Sequence, residues 1–539
     1  MAGASELSAT HARDVRARIA DVALLAPLLC GSAWLLVELT RFEFGLDQGI
    51  YAVVADAMLR GEAPYRDAWD FKPPGVYFVF ALARGLLGPN MASVRILEAA
   101  CLLSLLPAFV TLSRRFAGGA LPGLLGFALA ISGHVWLGSW HTAQPESFGG
   151  VLLVYALLLA TGERRGARER DLAFAGSGAL YALAALMKPP LGGGILVSAA
   201  FAVHAAWRDA PREARRRTGL RVLAAFAAGG AVPVLLVLAY FAAQGALPAL
   251  ADALFVFAPA YTSLNYQPGS LRIFPFRAFE FLLFRFSLLN PVGLALLFAL
   301  PPLSPREREG RAHLLGVIFF AVVGVGLQGR FFVYHYAGAL PLVALLAGWG
   351  LWKLTRVGRP YAIGTASVAL LIVLLANAND RGNPLPGGFL TRVRTFDDGR
   401  ARNEAVRKVA SWVAAHTREG DRIYVWGFEP LVYDMAGRLP ASHYIYNAAQ
   451  RAPGSRARAR DELMQELHAA PPAAVLVEHG DLHPGTAGTD VDSAAELEHF
   501  PRLTQFLADG YVPAVRIARF TVYLPRDAAA KLPTGPAPL

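Results

Sequence analysis

Residues 47–77 read DQGIYAVVADAMLRGEAPYRDAWDFKPPGVY, a stretch that follows the first long apolar segment and is too polar to cross a lipid core. It sets Asp47, Asp56, Asp67, Asp70 and Lys72 among Tyr51, Tyr65, Trp69 and Phe71, and it closes on Lys-Pro-Pro. Acids and a lysine among amphipathic rings suit a surface that meets both water and headgroups. Asp56, Asp67 and Asp70 also suit solvated or turn-forming positions. An ordinary loop would look similar, so the flanking sequence has to decide.

Of the 539 residues, 55% are hydrophobic and only 17% are charged, and the mean hydropathy is +0.40. That balance belongs to a polytopic membrane protein. The net charge of +11 comes from short basic clusters between apolar runs. Such clusters anchor membrane helices on the cytoplasmic side, which argues against a nucleic-acid partner. Cys30 and Cys101 each lie inside an apolar run, so neither a disulfide nor a cysteine metal site is expected. The first apolar run lacks a small-residue cleavage site and reads as an uncleaved span.

Arginine placement then fixes a register. The tail carries Arg13, Arg16 and Arg18, and 22–39 leads outward to the opening loop, 41–93. Within that loop 75–88 is apolar but only about half the length of a span, so it is expected to lie in the outer face. The runs 94–112, 121–137, 147–161, 172–187, 191–207, 222–243, 279–300, 314–327, 336–352 and 361–376 follow. With the first run they make about eleven spans, and every strongly basic loop falls on the side of the tail. The segment 244–275, with Tyr261, Tyr266 and Arg272, reads as a long outer loop.

From 377 the composition becomes that of a soluble domain. Residues 403–416 have helical spacing with Val406, Val409, Ala410 and Val413 on one face, 422–428 and 473–478 read as buried strands, and 512–524 as a strand pair. The expected fold is therefore a multi-pass α-helical membrane domain, 1–376, followed by a small extracytoplasmic α/β domain, 377–539. The expected location is the inner (plasma) membrane, with the N-terminus cytoplasmic.

This register gathers Asp47, Lys72, Glu146, Lys188, Arg330 and His335 at the outer ends of spans. Charges converging on one membrane face favour a functional site. Lys72, Lys188, Arg330 and His335 suit an anion held at the interface, such as a lipid phosphate, and would stabilise it as a leaving group. A carboxylate beside the acceptor would serve as general base for a hydroxyl. Tyr51, Tyr65, Trp69, Asp70 and Glu146 are the candidates to meet the acceptor or substrate. Each position also has a plainer reading: Lys72 and Lys188 as snorkelling helix ends, Glu146 as a first-turn carboxylate, His335 as part of an aromatic belt. Glu280 and Arg285 suit either a structural pair or a cavity wall.

Asp47-Gln-Gly-Ile-Tyr51, the Pro64-Tyr65-Arg66-Asp67 turn and Trp69-Asp70-Phe71-Lys72-Pro73-Pro74 resemble the first outer loop of GT-C membrane glycosyltransferases. The likeness is greatest to glycosyltransferase family 39, the protein O-mannosyltransferases and lipid A aminoarabinose transferases. Gln144-Pro145-Glu146, Lys188, His335-Tyr336 and the segment 420–427 extend it along nearly the whole chain. The resemblance implies a polyprenyl-phosphate sugar donor, inverting transfer on the outer face and a lipid, glycan or protein acceptor. By position, Asp47 would be the base and Lys72 would hold the donor phosphate. Many members have Asp-Glu where this chain has Asp47-Gln48, and the first loop has no Asp-x-Asp, so no cofactor or obligatory metal is expected. A lipid-linked-sugar flippase, or a ligase of lipid-linked glycans, is the alternative. A transporter site, however, belongs near the midplane between inverted halves.

Overall fold

The computed structural model describes residues 26–163, 166–265, 269–280, 287, 289–329, 331–354 and 397–531. The span expected at 361–376, the tail arginines, Arg285, Arg330 and the domain start at 377–396 lie outside the described residues.

Among the described residues a helix falls in each of the other ten segments read as spans. These helices are α1 Ala26–Leu39, α4 Met91–Phe116, α5 Leu121–Val135, α6 Pro145–Ala160, α7 Ala167–Met187, α8 Gly194–Asp209, α9 Arg215–Ala243, α12 Leu289–Ala299, α13 Pro305–Gln328 and α14 Leu340–Lys353. Two further helices, α2 Leu46–Leu59 and α3 Gly75–Leu87, form the opening loop. Among the described residues five helical stretches are long and apolar enough to cross a membrane, and four of them fall on these segments: Met91–Phe116, Pro189–Asp209, Arg212–Ala243 and Pro305–Gln328. Leu220, Leu223, Leu235 and Leu236 stand exposed along α9, an outward face suited to lipid rather than water. Inside the bundle, small residues let backbones touch. A Cβ on Gly229 of α9 would collide with the Ala175 carbonyl of α7, and one on Gly350 of α14 with the Gly293 carbonyl of α12.

The two ends of the bundle differ. At one end Arg115 bonds Thr161 and the Leu158 carbonyl, Arg306 pairs with Glu163, and Lys353 meets Glu307 at 2.9 Å. The other end carries Asp47, Lys72, the 139–146 turn and Lys188, and the C-terminal part meets it there, with Leu431 against Gly49 and Arg402 over the Trp140 ring.

The segment 244–275 is not a loop. It forms α10, Leu247–Leu264, and most of α11, Ser270–Glu280. The fifth long apolar stretch is α10, yet its contacts bind it to the sheet-bearing end. Asp252 pairs with Arg458 at 2.6 Å, and the Phe257 ring meets Trp69 edge-on at 4.8 Å. Residues Asp252–Phe257 are π-helical just before Pro259, which has no N–H to continue the α ladder. Glu280 pairs with Arg277 at 2.9 Å.

The C-terminal part packs α15, Glu404–His416, against a five-stranded sheet through buried Val406, Val409, Ala410 and Val413. The sheet order is β2-β1-β3-β5-β4, with β1 Arg422–Trp426, β2 Leu439–Pro440, β3 Ala474–Glu478, β4 Tyr511–Ile517 and β5 Phe520–Pro525. Strand β1 runs parallel to β2 and β3, and β5 is antiparallel to β3 and β4. One hydrophobic core runs unbroken from the opening loop into this sheet. Trp69 N–H donates to the His443 carbonyl at 2.7 Å, its ring packs on Tyr444 and Tyr446, and Tyr446 OH donates to Asp70 at 2.7 Å. Arg84 of α3 bridges Asp56 of α2 and Asp434 of α16, Leu431–Ala436.

Two buried carboxylates lie beside the sheet. Arg519 donates to Glu478 at 2.9 Å and to Glu429 at 2.8 Å. Burial, then the neighbouring Glu429, pushes the Glu478 carboxyl up to about 8. A carboxyl raised in the folded state contributes stability below its unfolded pKa of about 4.3, and that contribution is lost as pH rises through 8. Glu478→Gln should therefore gain thermal stability relative to the parent between pH 5 and pH 9. A difference in melting temperature that stays flat over this range would contradict the assignment. Separately, Trp69→Ala should destabilise the folded protein by about 3–5 kcal/mol, read by denaturant unfolding in detergent.

Candidate active site

The first turn of α2 presents Asp47, and the chain after the Tyr65 turn presents Lys72. Lys72 Nζ lies 3.0 Å from Asp47 Oδ1 and 3.8 Å from Asp70, with the Tyr51 and Phe71 rings 5.1 and 5.4 Å away. Burial works against its charge, but the Asp47 and Asp70 carboxylates outweigh it and hold the ammonium above the ordinary lysine range. On the facing turn Gln144 closes the arrangement: its Nε2 donates to Asp47 Oδ2 at 3.4 Å, and its Oε1 accepts from Tyr51 OH at 3.1 Å.

A second ion pair adjoins the first. Lys188, the residue after α7, contacts Glu146 in the first turn of α6 and sits 5.9 Å over the Tyr334 ring. Burial pushes Lys188 down, and attraction to Glu146 offsets this only in part. The charges of Asp47 and Lys72 both reach Lys188, so the two pairs form one constellation. Asp47, Lys72 and Lys188 keep 15, 20 and 15% of their side chains exposed and so remain open to a ligand, whereas Glu146 is fully buried. His335 is buried with its ring against Phe332 and Tyr334, and Tyr334 stacks on His141.

The other sequence candidates sit behind this surface. Tyr65, at φ 69°, donates its hydroxyl to the Lys72 carbonyl at 2.7 Å and fixes the lysine from below. Trp69 is in the shared core. Asp70 is not solvated: it is fully buried and accepts from Tyr77 and Tyr446, each at 2.7 Å. Asp67 does close a turn, accepting from Ala63 N–H at 2.7 Å, and Asp56 pairs with Arg84.

The 139–146 turn is held by Gln48, which the sequence marks only as a missing carboxylate, and by Arg95, Glu98 and His134, which it does not single out. Gln48 Nε2 donates to the carbonyls of Thr142, Trp140 and Ser139 at 2.6, 2.9 and 3.3 Å. Arg95 donates to the Ser139 carbonyl at 2.8 Å and pairs with Glu98 at 3.1 Å. Glu98 in turn accepts from His134 at 2.9 Å and from Ala143 N–H. Ala143 is held at φ 52°, a conformation that costs a non-glycine residue about 1 kcal/mol or more. The next residue, Gln144, donates to Asp47 and to the Trp140 carbonyl. The available signal was two charges three residues apart at the start of an apolar span, which are costly there unless they have a task.

Two solved structures of ArnT from Cupriavidus metallidurans share this architecture. The form bound to undecaprenyl phosphate aligns at TM-score 0.61 and 14% identity, over 93% of this chain and 98% of that one. The apo form aligns at 0.58, also at 14% identity, over 94% and 98%. The chain has the GT-C fold. The arabinofuranosyltransferase AftD from Mycobacteria aligns at TM-score 0.42 and 16% identity, over 93% of this chain and 40% of that one. No protein-family model and no curated protein matches the sequence.

At this turn, Gln48→Glu would aim a carboxylate at three carbonyl oxygens and remove their donor. It should lower stability by about 3 kcal/mol, as other buried unpaired charges do, and depress the melting temperature. Melting at the parental temperature would show that the amide is not what holds the turn.

Proposed function

We propose that the protein is a membrane glycosyltransferase. It moves a sugar from a polyprenyl-phosphate donor to an acceptor hydroxyl, with inversion, at the face bearing the C-terminal sheet. The observation that carries this reading is the double ion pair at the rim of a GT-C bundle: two ammonium groups, each matched by a carboxylate and each partly open. The undecaprenyl phosphate in the ArnT structure supports a lipid phosphate as the ligand.

In the free protein the four charges cancel. A donor phosphate arriving at Lys72 and Lys188 competes with their carboxylates through charge-assisted hydrogen bonds. Asp47, loosened from Lys72 but still tied to Gln144, is then free to take the acceptor proton. The acceptor oxygen attacks the anomeric carbon, the bond from that carbon to the phosphate oxygen breaks, and polyprenyl phosphate leaves on the lysines. Glu146 keeps Lys188 in place, and Tyr51 orients Gln144. The arginine-rich loops between spans fall at the opposite end, which supports placing this face outside the cytoplasm.

The test is sugar transfer by purified protein in nanodiscs from a panel of radiolabelled polyprenyl-phosphate monosaccharides. Asp47→Asn should reduce transfer by about 10²-fold or more, with donor binding retained, and Lys72→Ala should weaken donor binding itself. Passage of intact labelled lipid across the bilayer, with no transfer and no effect of Asp47→Asn, would replace this reading with a flippase.

A further inference from the structure

Helix α10 is apolar on both of its sides. Leu250, Ala253 and Phe257, spaced three or four residues apart, are buried in the core that the opening loop shares with the sheet. The opposite side exposes Leu247, Phe255, Val256 and Leu264, with Phe255 76% exposed. Between 247 and 264 the one charged residue is Asp252, half-buried and paired with Arg458 at 2.6 Å. The shallow groove along α10, lined by Leu254, Ala258, Pro259, Thr262 and Ser263, carries no charge either. A helix laid against a domain in water turns polar residues outward, so this outer side calls for an apolar partner.

Helix α11 exposes Ile273, Phe276 and Phe279, with Phe276 77% exposed, and sets Arg272 and Arg277 among them. Aromatic rings beside arginines are the composition of a membrane–water boundary, where rings enter the lipid and guanidinium heads reach the headgroups. The surface also continues that of α9. Leu235, Leu236 and Leu238 are exposed there, and only residues 244–246 separate α9 from α10.

By length and composition alone α10 would also cross a bilayer, but its contacts forbid that. Near one end Asp252 holds Arg458, and at the other Leu264 Cδ1 lies 3.8 Å from where a Gly488 Cβ would stand. Both partners belong to the C-terminal part, yet Asp252 and Leu264 are about 18 Å apart along the helix at 1.5 Å per residue. A crossing helix leaves an outer domain behind within one or two turns. Helix α10 stays beside it, and on the way Phe257 meets Trp69 at 4.8 Å and Tyr261 meets Phe71 at 4.3 Å.

We propose that α10 and α11 lie along the leaflet nearest the C-terminal part, with Phe255, Val256 and Phe276 among the acyl chains and Arg272 at the headgroups. The partner is the lipid surface itself, and the two helices seat the C-terminal part on it. This goes beyond the glycosyltransferase reading and does not depend on it. It brings lipid within one helix of Lys72, because Tyr261 packs on Phe71 and the Phe71 ring lies 5.4 Å from the ammonium.

Spin labels on the full chain in nanodiscs test this, at Phe255→Cys and Phe276→Cys, in a background of Cys30→Ser and Cys101→Ser. Collisions with oxygen and with a water-soluble nickel chelate give the depth of each label. A label at Arg502→Cys, on a residue 57% exposed in the sheet-bearing part, is the aqueous control. Both α10 and α11 labels should favour oxygen over nickel relative to the control, at depths of about 5–10 Å below the phosphates. Val256→Cys and Ile273→Cys serve if either variant does not fold. A depth of about 15 Å, the bilayer centre, at position 255 would make α10 a span. Nickel collisions as frequent as at the control would leave the surface in water, and exclusion of both reagents would mean that a second protein surface covers it. Each of these three results overturns the proposal.

Discussion

An ammonium group at the rim of an apolar bundle has to be matched by a carboxylate, or burial drives off its proton. Lys72 and Lys188 meet that constraint with Asp47 and Glu146, and much of the remaining structure holds these four groups in place. Asp70 adds a second negative charge near Lys72 and is itself fixed by two tyrosine hydroxyls, one from the opening loop and one from the C-terminal part. The domains are therefore not a bundle with an appendage. The sheet completes the electrostatics of the loop below it.

That dependence explains the shared core. The opening loop cannot bury Trp69, Tyr65 and Phe71 by itself, and α10, α16 and the 443–446 segment supply the missing surface. Aromatic packing around Trp69 and the Arg84 bridge to Asp56 and Asp434 make the loop rigid where Asp47 must be aimed. A rigid support is what a site of this kind requires, because small displacements of a base or of a phosphate ligand are costly to rate.

Much of the fold was legible because its signals are local. Apolar runs and arginine clusters place ten described helices, and short continuous apolar runs after turn-forming residues place β1 and β3. Asp47, Lys72, Glu146 and Lys188 stood out because charge at a span end is conspicuous. The rest was hidden for two reasons. Some partners are remote: nothing near Asp70 reveals a tyrosine 376 residues away, so the aspartate looked solvated. Other residues act through geometry rather than charge. Gln48 looked like the loss of a carboxylate, yet its amide donates to three carbonyls as a carboxylate could not. The helix α10 was read as a loop because proline and tyrosine punctuate it, and the π-helical turn before Pro259 absorbs the break.

The central claim is that the paired lysines form one phosphate site. It is tested most directly by the affinity for undecaprenyl phosphate in a double-mutant cycle of Lys72→Ala and Lys188→Ala. The account predicts that each variant weakens binding and that the two effects are not additive, because both ammonium groups hold the same anion. Affinity unchanged in the double variant would contradict it.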